Sequence, residues 1–257
     1  MTNKKFKLAA MSLATAVAVS AVGSSASAVT YQLEKGDVTV GQDGTGAYSY
    51  QNQTDGKTDN VYVDQDTQNN GQIITQAEGT KTDNTVTVEE DVTNEKGKRD
   101  VDIILDGVNV DTSDTSTSTD TPTEVPADTK EDKTIIKVGE GADVDLTVRE
   151  SNLTTGGNGI DIGVNLKDGD DNKETNVDLT LDHTKVNLTQ NGKAGINVQD
   201  NSDVNLTLKG ENAIDGSKAI ENEDLKKNVN VEGIRVGGEG TSDSSDANED
   251  AKTNLTI

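Results

Sequence analysis

The sequence predicts an all-β protein, specifically a right-handed parallel β-helix with an irregular N-terminal β cap. Three observations favour this fold: a strand motif that recurs along the chain, unequal spacing between its copies, and an apolar content that is almost entirely aliphatic. Parallel β-solenoids combine constant strands with loops of variable length, so these features are typical of that fold class.

The recurring motif is six residues of alternating polar and aliphatic type. Its four clear copies are Asp100–Leu105, Asp143–Val148, Asn176–Leu181 and Asp203–Leu208, and a weaker fifth copy spans 253–257. A period of two is typical of a strand with one buried face. The pattern predicts that Val144, Leu146 and Val148 face the core, as do their counterparts in the later copies up to Leu208.

Two shorter strands are predicted after each copy, one at 153–154, 186–188 and 213–214, and one that begins Gly-Ile at 159, 195 and 233. Equivalent positions lie 33 residues apart from Val144 to Val177, 27 from Val177 to Val204, and 49 from Leu206 to Leu255. Constant strands with variable loops predict successive turns of a coil, with glycines at sharp corners. The right hand follows from the general rule for parallel crossover connections.

The N-terminus has the three parts of a secretory signal peptide. Lys4, Lys5 and Lys7 precede an uncharged apolar segment at 8–22, and Ala26-Ser27-Ala28 forms a small-residue cleavage site. We therefore expect a secreted or cell-surface protein, without membrane insertion once residues 1–28 are removed.

Three regions follow from these patterns. After the signal peptide at 1–28, residues 29–98 form the N-terminal β cap or irregular first turns, and residues 99–257 form the β-helix. Acidic loops are predicted at 111–133, 167–175 and 237–252. The last motif stops at Ile257 without a polar cap, so we expect an oligomer contact or further chain at this end.

The net charge of the chain restricts the classes of partner that it can bind. The chain has a net charge of −24, and loss of 1–28, which holds three basic residues and no acidic ones, makes it −27. Nucleic acid and anionic membranes are therefore excluded as partners, whereas polysaccharide or another cell-surface component is compatible with this charge. No cysteine is present, which excludes disulfides and thiolate sites.

The outward positions of the motif are the candidate ligand-binding residues. Polar side chains recur there, and stacked turns are expected to align them in two columns. The acidic column contains Asp102, Asp145, Asp178 and Asn205, and the threonine column contains Thr147, Thr180 and Thr207. We expect Asn254 and Thr256 to extend these columns.

Calcium is the one cofactor for which the sequence offers candidate ligands, and no other cofactor is expected. Residues 156–161, which end at Asp161, match the first six places of a calcium-binding nonapeptide, but the match then fails at Gly163 and occurs once. Oxygen-bearing side chains also alternate in the following loop. The candidate calcium ligands are Asp161, Asp168, Asp170, Asn172 and Glu174.

Few residues of the sequence suggest a catalytic site. The single histidine, His183, follows a strand and is interpreted as a solvated turn residue. The pair Asp170-Asp171, with Arg149, is the best candidate for a lyase or glycoside hydrolase site. After Tyr62 the chain has no aromatic residue to form a sugar platform.

Three segments resemble a family of exported bacterial proteins described as carbohydrate-binding domain-containing. They are D-V-D-I-I-L-D-G-V-N-V at 100–110, G-A-D-V-D-L-T-V at 141–148 and Y-Q-L-E-K-G-D-V-T-V at 31–40. The resemblance implies a secreted β-helix that binds polysaccharide, and it supplies no catalytic residues. We therefore expect a non-enzymatic surface module. The alternatives are a polysaccharide lyase or hydrolase on a β-helix, and a fragment of a larger adhesin or structural spacer.

Overall fold

The computed structural model describes residues 30–42, 48–54, 57–63, 72–92, 101–113, 133–166, 173–190, 192–217, 232–237 and 254–257, with the backbone alone for 42, 48–54, 57–63 and 72. Within these ranges the one helical element is a 3-10 turn at Leu33–Lys35. The described residues contain no helix that is long and apolar enough to cross a bilayer.

Nineteen strands make up the described fold. They are β1 (Thr30–Gln32), β2 (Val38–Gln42), β3 (Tyr48–Thr54), β4 (Lys57–Val63), β5 (Gln72–Thr75), β6 (Val86–Val88), β7 (Val101–Asp106), β8 (Asn109–Asp111), β9 (Ile136–Gly139), β10 (Asp143–Arg149), β11 (Asn152–Thr155), β12 (Ile160–Val164), β13 (Thr175–Asp182), β14 (Lys185–Leu188), β15 (Ala194–Val198), β16 (Ser202–Lys209), β17 (Ala213–Asp215), β18 (Glu232–Val236) and β19 (Asn254–Thr256).

These strands form three sheets. Sheet A has the order β1-β5-β7-β10-β13-β16-β19, sheet C has the order β17-β14-β11-β8, and sheet B has the order β18-β15-β12-β9-β6-β2-β3-β4. All neighbours are parallel except in the β2-β3-β4 meander, which is antiparallel. From β7 to β18 the chain visits sheets A, C and B in turn four times. The prediction of an all-β fold is confirmed, and the arrangement is compatible with a parallel β-solenoid.

Parallel pairing also extends to the N-terminal side of residue 99. Strand β5 lies between β1 and β7 in sheet A, and β6 lies between β2 and β9 in sheet B. The antiparallel meander follows β2 at the end of sheet B. The described residues before residue 99 therefore supply both parallel strands of the stack and an antiparallel meander at its margin.

Alternation places one face of each sheet A strand inside, as predicted. In β10, Val144, Leu146 and Val148 are at most 1% exposed, and the residues between them are partly exposed. Leu208 pairs with Leu181 and so lies on the predicted inward face, but it is 53% exposed. Strand β19 pairs with β16 only through residues 203–205, so it leaves Leu208 uncovered.

The register of β19 also differs from expectation. Leu255 pairs with Val204 rather than with Leu206, so Asn254 lies beside Asp203 and Thr256 beside Asn205. A shift of two residues preserves which face is buried, so the alternating pattern is satisfied equally by both registers. Asn254 and Thr256 therefore do not extend the columns predicted for them.

Two loop boundaries were also wrong. Asp111 is the last residue of β8 and Thr175 is the first residue of β13, although both were assigned to acidic loops. In each case the backbone pairs with the strand of a neighbouring turn, Asp111 through Thr154 and Thr175 through Ser202.

The corner between sheets A and C repeats a left-handed backbone conformation. Gly107, Glu150, His183 and Gly210 have φ of 65°, 49°, 51° and 66°. The corners also stack, because the amide of His183 donates to the carbonyl of Lys209. The glycines of the Gly-Ile motif were predicted at such corners, but Gly159 and Gly195 have a different role. A Cβ at Gly159 would lie 2.5 Å from the carbonyl oxygen of Gly195, so close stacking of turns requires glycine there.

Candidate functional site

The outward face of sheet A brings the predicted ligand-binding residues together. The acidic column runs Asp102, Asp145, Asp178, Asn205 across four paired strands. The threonine column runs Ile104, Thr147, Thr180, Thr207 beside it. Together these eight residues line a shallow depression of about 390 Å³. Sequence reasoning identified seven of them and missed Ile104, whose aliphatic side chain does not fit the threonine pattern.

The acidic column has a net negative charge, because it contains three aspartates and one asparagine. Asp102, Asp145 and Asp178 are directly paired neighbours, and no basic residue occupies the column. Asn205 donates from Nδ2 to Oδ1 of Asp178 at 2.8 Å. Like charges opposite each other in a sheet are destabilising. Placing three carboxylates side by side is therefore unfavourable for stability.

A second outward column of sheet A shows the contrasting arrangement. It runs Asp106, Arg149, Asp182, Lys209, with acidic and basic residues alternating across the paired strands. Nη2 of Arg149 donates to Oδ2 of Asp106 at 2.6 Å. This hydrogen bond, together with nearby carboxylates, raises the pKa of Arg149 above its usual value. Arg149 is thus engaged in an ion pair along the sheet.

The candidate calcium ligands are only partly described. Asp168, Asp170 and Asn172 lie outside the described residues, as does Asp171 of the candidate acidic pair. Glu174 is exposed immediately before β13. Asp161 is 8% exposed on β12, and both of its carboxylate oxygens accept amide hydrogen bonds. In the described part of the chain, no three Asp, Glu, His or Cys side chains are grouped as a metal site would require.

His183 lies at the stacked corner after β13. Its side chain is 62% exposed, and its Nδ1 lies 2.6 Å from Oδ1 of the adjacent Asp182. The ring also lies against the next turn, since a Cβ on Gly210 would be 2.2 Å from its Cε1 atom. His183 therefore packs against the next turn at a solvent-exposed corner of the stack.

Sequence reasoning missed a second concave surface, on the outward side of sheet B. It has a volume of about 540 Å³ and includes Asp161 and Asn197, which are 8% and 5% exposed. These two residues are paired neighbours in β12 and β15. The available signal was that they occupy the same position in successive Gly-Ile motifs, as Gly-Ile-Asp-Ile and Gly-Ile-Asn-Val.

Comparisons of the chain with protein-family models, with curated proteins and with solved structures each found no match. Functional inference therefore depends on the residues of the two outward faces.

Proposed function

We propose that this chain is a secreted, non-enzymatic, right-handed parallel β-helix module that binds carbohydrate through the outward face of sheet A. The observation that carries this proposal is the depression of about 390 Å³, in which an acid or amide and an adjacent hydroxyl recur on successive strands. The right hand is supported by the general preference of parallel crossover connections.

Repetition along the stack favours a polymeric ligand. Neighbouring strands in a sheet lie about 4.8 Å apart, so equivalent groups recur at that interval along the face. Carboxylates accept hydrogen bonds, whereas asparagine and threonine side chains both donate and accept them. A polysaccharide presents hydroxyl groups repeatedly along its length and can engage several turns at once.

The charge of the face favours a neutral polysaccharide. Asp102, Asp145 and Asp178 repel anionic sugars, nucleic acid and anionic lipid surfaces. Their carboxylates accept hydrogen bonds strongly from sugar hydroxyls, since charged acceptors form shorter and stronger bonds than neutral ones.

Export and a contact at the C-terminal strands complete the proposal. The signal peptide pattern at 1–28, which lies outside the described residues, supports secretion. Leu208, Val236 and Ile257 are 53%, 46% and 74% exposed on the last strands and beside them. Exposed large apolar side chains support a contact with another subunit at this end.

The test is a panel of insoluble and soluble polysaccharides incubated with the purified protein, with and without calcium. Retention on a neutral polysaccharide without new chain ends is the expected result. New chain ends would contradict the non-enzymatic proposal and favour a lyase or hydrolase. A folded protein that is retained on no polysaccharide would contradict carbohydrate binding.

A further inference from the structure

The concavity on sheet B is lined mainly by polar side chains. Five carboxamide side chains line it: Asn158, Asn165, Asn197, Gln199 and Asn201. Its volume of about 540 Å³ falls within the range of about 300–1,000 Å³ typical of small-ligand pockets.

Asp161 is the fixed centre of this site. Its Oδ2 accepts from Asn158 Nδ2 at 3.0 Å, and its Oδ1 accepts from Asn197 Nδ2 at 2.8 Å and from Gln199 Nε2 at 2.9 Å. A carboxylate is costly to bury unless such hydrogen bonds compensate for the lost water. The three amides therefore hold the carboxylate in place and are held by it.

Hydrogen-bonding capacity remains after this network is complete. The carbonyl oxygen of Asn197 is buried and accepts no hydrogen bond from the described residues. Asn158 and Asn197 each direct one amide hydrogen to Asp161 and carry a second. Because the Asn197 oxygen has almost no exposed area, a ligand reaches it only as side chains at the rim move.

We propose that this concavity is a second binding site, which takes a small hydroxyl-rich ligand such as one or two residues of a neutral saccharide. A hydroxyl group both donates to the Asn197 oxygen and accepts from a spare amide hydrogen. A divalent cation fits less well, because amide hydrogens already point at both oxygens of Asp161. The site lies on a different sheet from the face described above, so it does not depend on polysaccharide binding there.

The experiment is nuclear magnetic resonance on the purified, ¹⁵N-labelled protein, following the side-chain amide signals of Asn158, Asn197 and Gln199. The probes are glucose, N-acetylglucosamine, glycerol and calcium chloride, each titrated separately. A saccharide is expected to shift these signals in a saturable way. Asn197→Ala is expected to weaken that binding about tenfold, which corresponds to the loss of one hydrogen bond.

Two further variants keep the test decisive. Asn165→Arg crowds the concavity from an exposed position, so it is expected to lower binding even if Asn197→Ala fails to fold. Lys185→Ala, at an exposed position of sheet C, is the control and is expected to leave saccharide binding at this site unchanged. Shifts caused by calcium alone, saccharide binding unaffected by the folded sheet B variants, or no shift with any probe would each overturn the proposal.

Discussion

Gly159 and Gly195 lie where successive turns of the chain pass within contact distance. A Cβ at Gly195 would lie 2.5 Å from Cγ2 of Ile214 and 2.8 Å from the carbonyl oxygen of Gly233. Gly233 occupies the equivalent place in the last Gly-Ile strand, and a Cβ there would meet nothing within 4 Å. At the residue scale, the need for glycine therefore comes from the neighbouring turn and ends where no such neighbour lies close.

This difference gives a matched pair of variants. Gly195→Ala is expected to lower the free energy of unfolding by about 1–3 kcal/mol, because the added methyl group overpacks the stack. Gly233→Ala is expected to change it by less than about 0.5 kcal/mol. Urea unfolding followed by circular dichroism measures both, and equal effects would contradict the stacking explanation.

Tyr31 gives the fold a dependence on alkaline pH. Its side chain is 5% exposed, and burial raises its pKa from 10.0 to about 12. Between these values the unfolded chain has lost the phenolic proton and the folded chain retains it, so stability falls as pH rises. The loss is expected to reach about 2–3 kcal/mol near pH 12.

Tyr31→Phe is the control for this effect, since it removes the titrating hydroxyl and keeps the ring. Unfolding measured from pH 9 to pH 12 is expected to show a shallower decline in the variant. Parallel curves for the two proteins would show that Tyr31 does not contribute to the pH dependence.

At the element scale, strand alternation was predictable and strand register was not. Burial on one face imposes a period of two on the sequence, so β10, β13 and most of β16 were assigned correctly. The pairing of Leu255 with Val204 depends on where the chain re-enters the sheet after a long loop. Alternation carries no information about a shift of two residues.

The acidic column of sheet A leads to a prediction about stability. Asp145→Asn places an amide between Asp102 and Asp178, which removes two like-charge neighbours. The free energy of unfolding is expected to rise by about 0.2–1 kcal/mol at neutral pH and low salt. The gain is expected to shrink in about 1 M salt, where such charges are screened. A loss of stability would show that the column is not under repulsion.

The two outward faces differ in how far the sequence could predict them. The sheet A columns come from copies of one motif, so aligning the copies aligns Asp145 with Asp178 and Thr147 with Thr180. The sheet B site joins Asp161 to Gln199, which lies outside the shared motif and 38 residues away. Those contacts depend on which turns stack on each other and on where the side chains point. The alternating sequence pattern predicts neither.

At the scale of the whole molecule, one aliphatic core runs along the three sheets. Among the described side chains, Tyr31 is the single aromatic residue in that core, and the others are Val, Ile, Leu and Ala. Small and branched side chains suit the narrow space between sheets, because each turn supplies only a few inward residues. This explains how a chain with 2% aromatic residues forms a packed interior.

The core also ends abruptly along the stack, which a second matched pair of variants tests. Leu181 is 2% exposed, and its paired neighbour Leu208 is 53% exposed. Leu181→Ala is expected to lower the free energy of unfolding by about 2–5 kcal/mol. Measured at protein concentrations where the chain is monomeric, Leu208→Ala is expected to lower it by no more than about 1 kcal/mol, because much less area leaves the interior. Comparable losses for the two variants of the monomer would contradict the exposure of Leu208.

The most direct test of the central claim is polysaccharide retention by a variant that lacks the hydroxyls of the sheet A face. Thr147→Val, Thr180→Val and Thr207→Val together keep β-branched side chains and remove three hydroxyl groups. The matched control is Thr39→Val with Thr87→Val, a paired and similarly outward set on sheet B. We expect the triple variant to lose retention at least tenfold while the control binds as the unmodified protein does. Equal retention by both variants would contradict binding through the sheet A face.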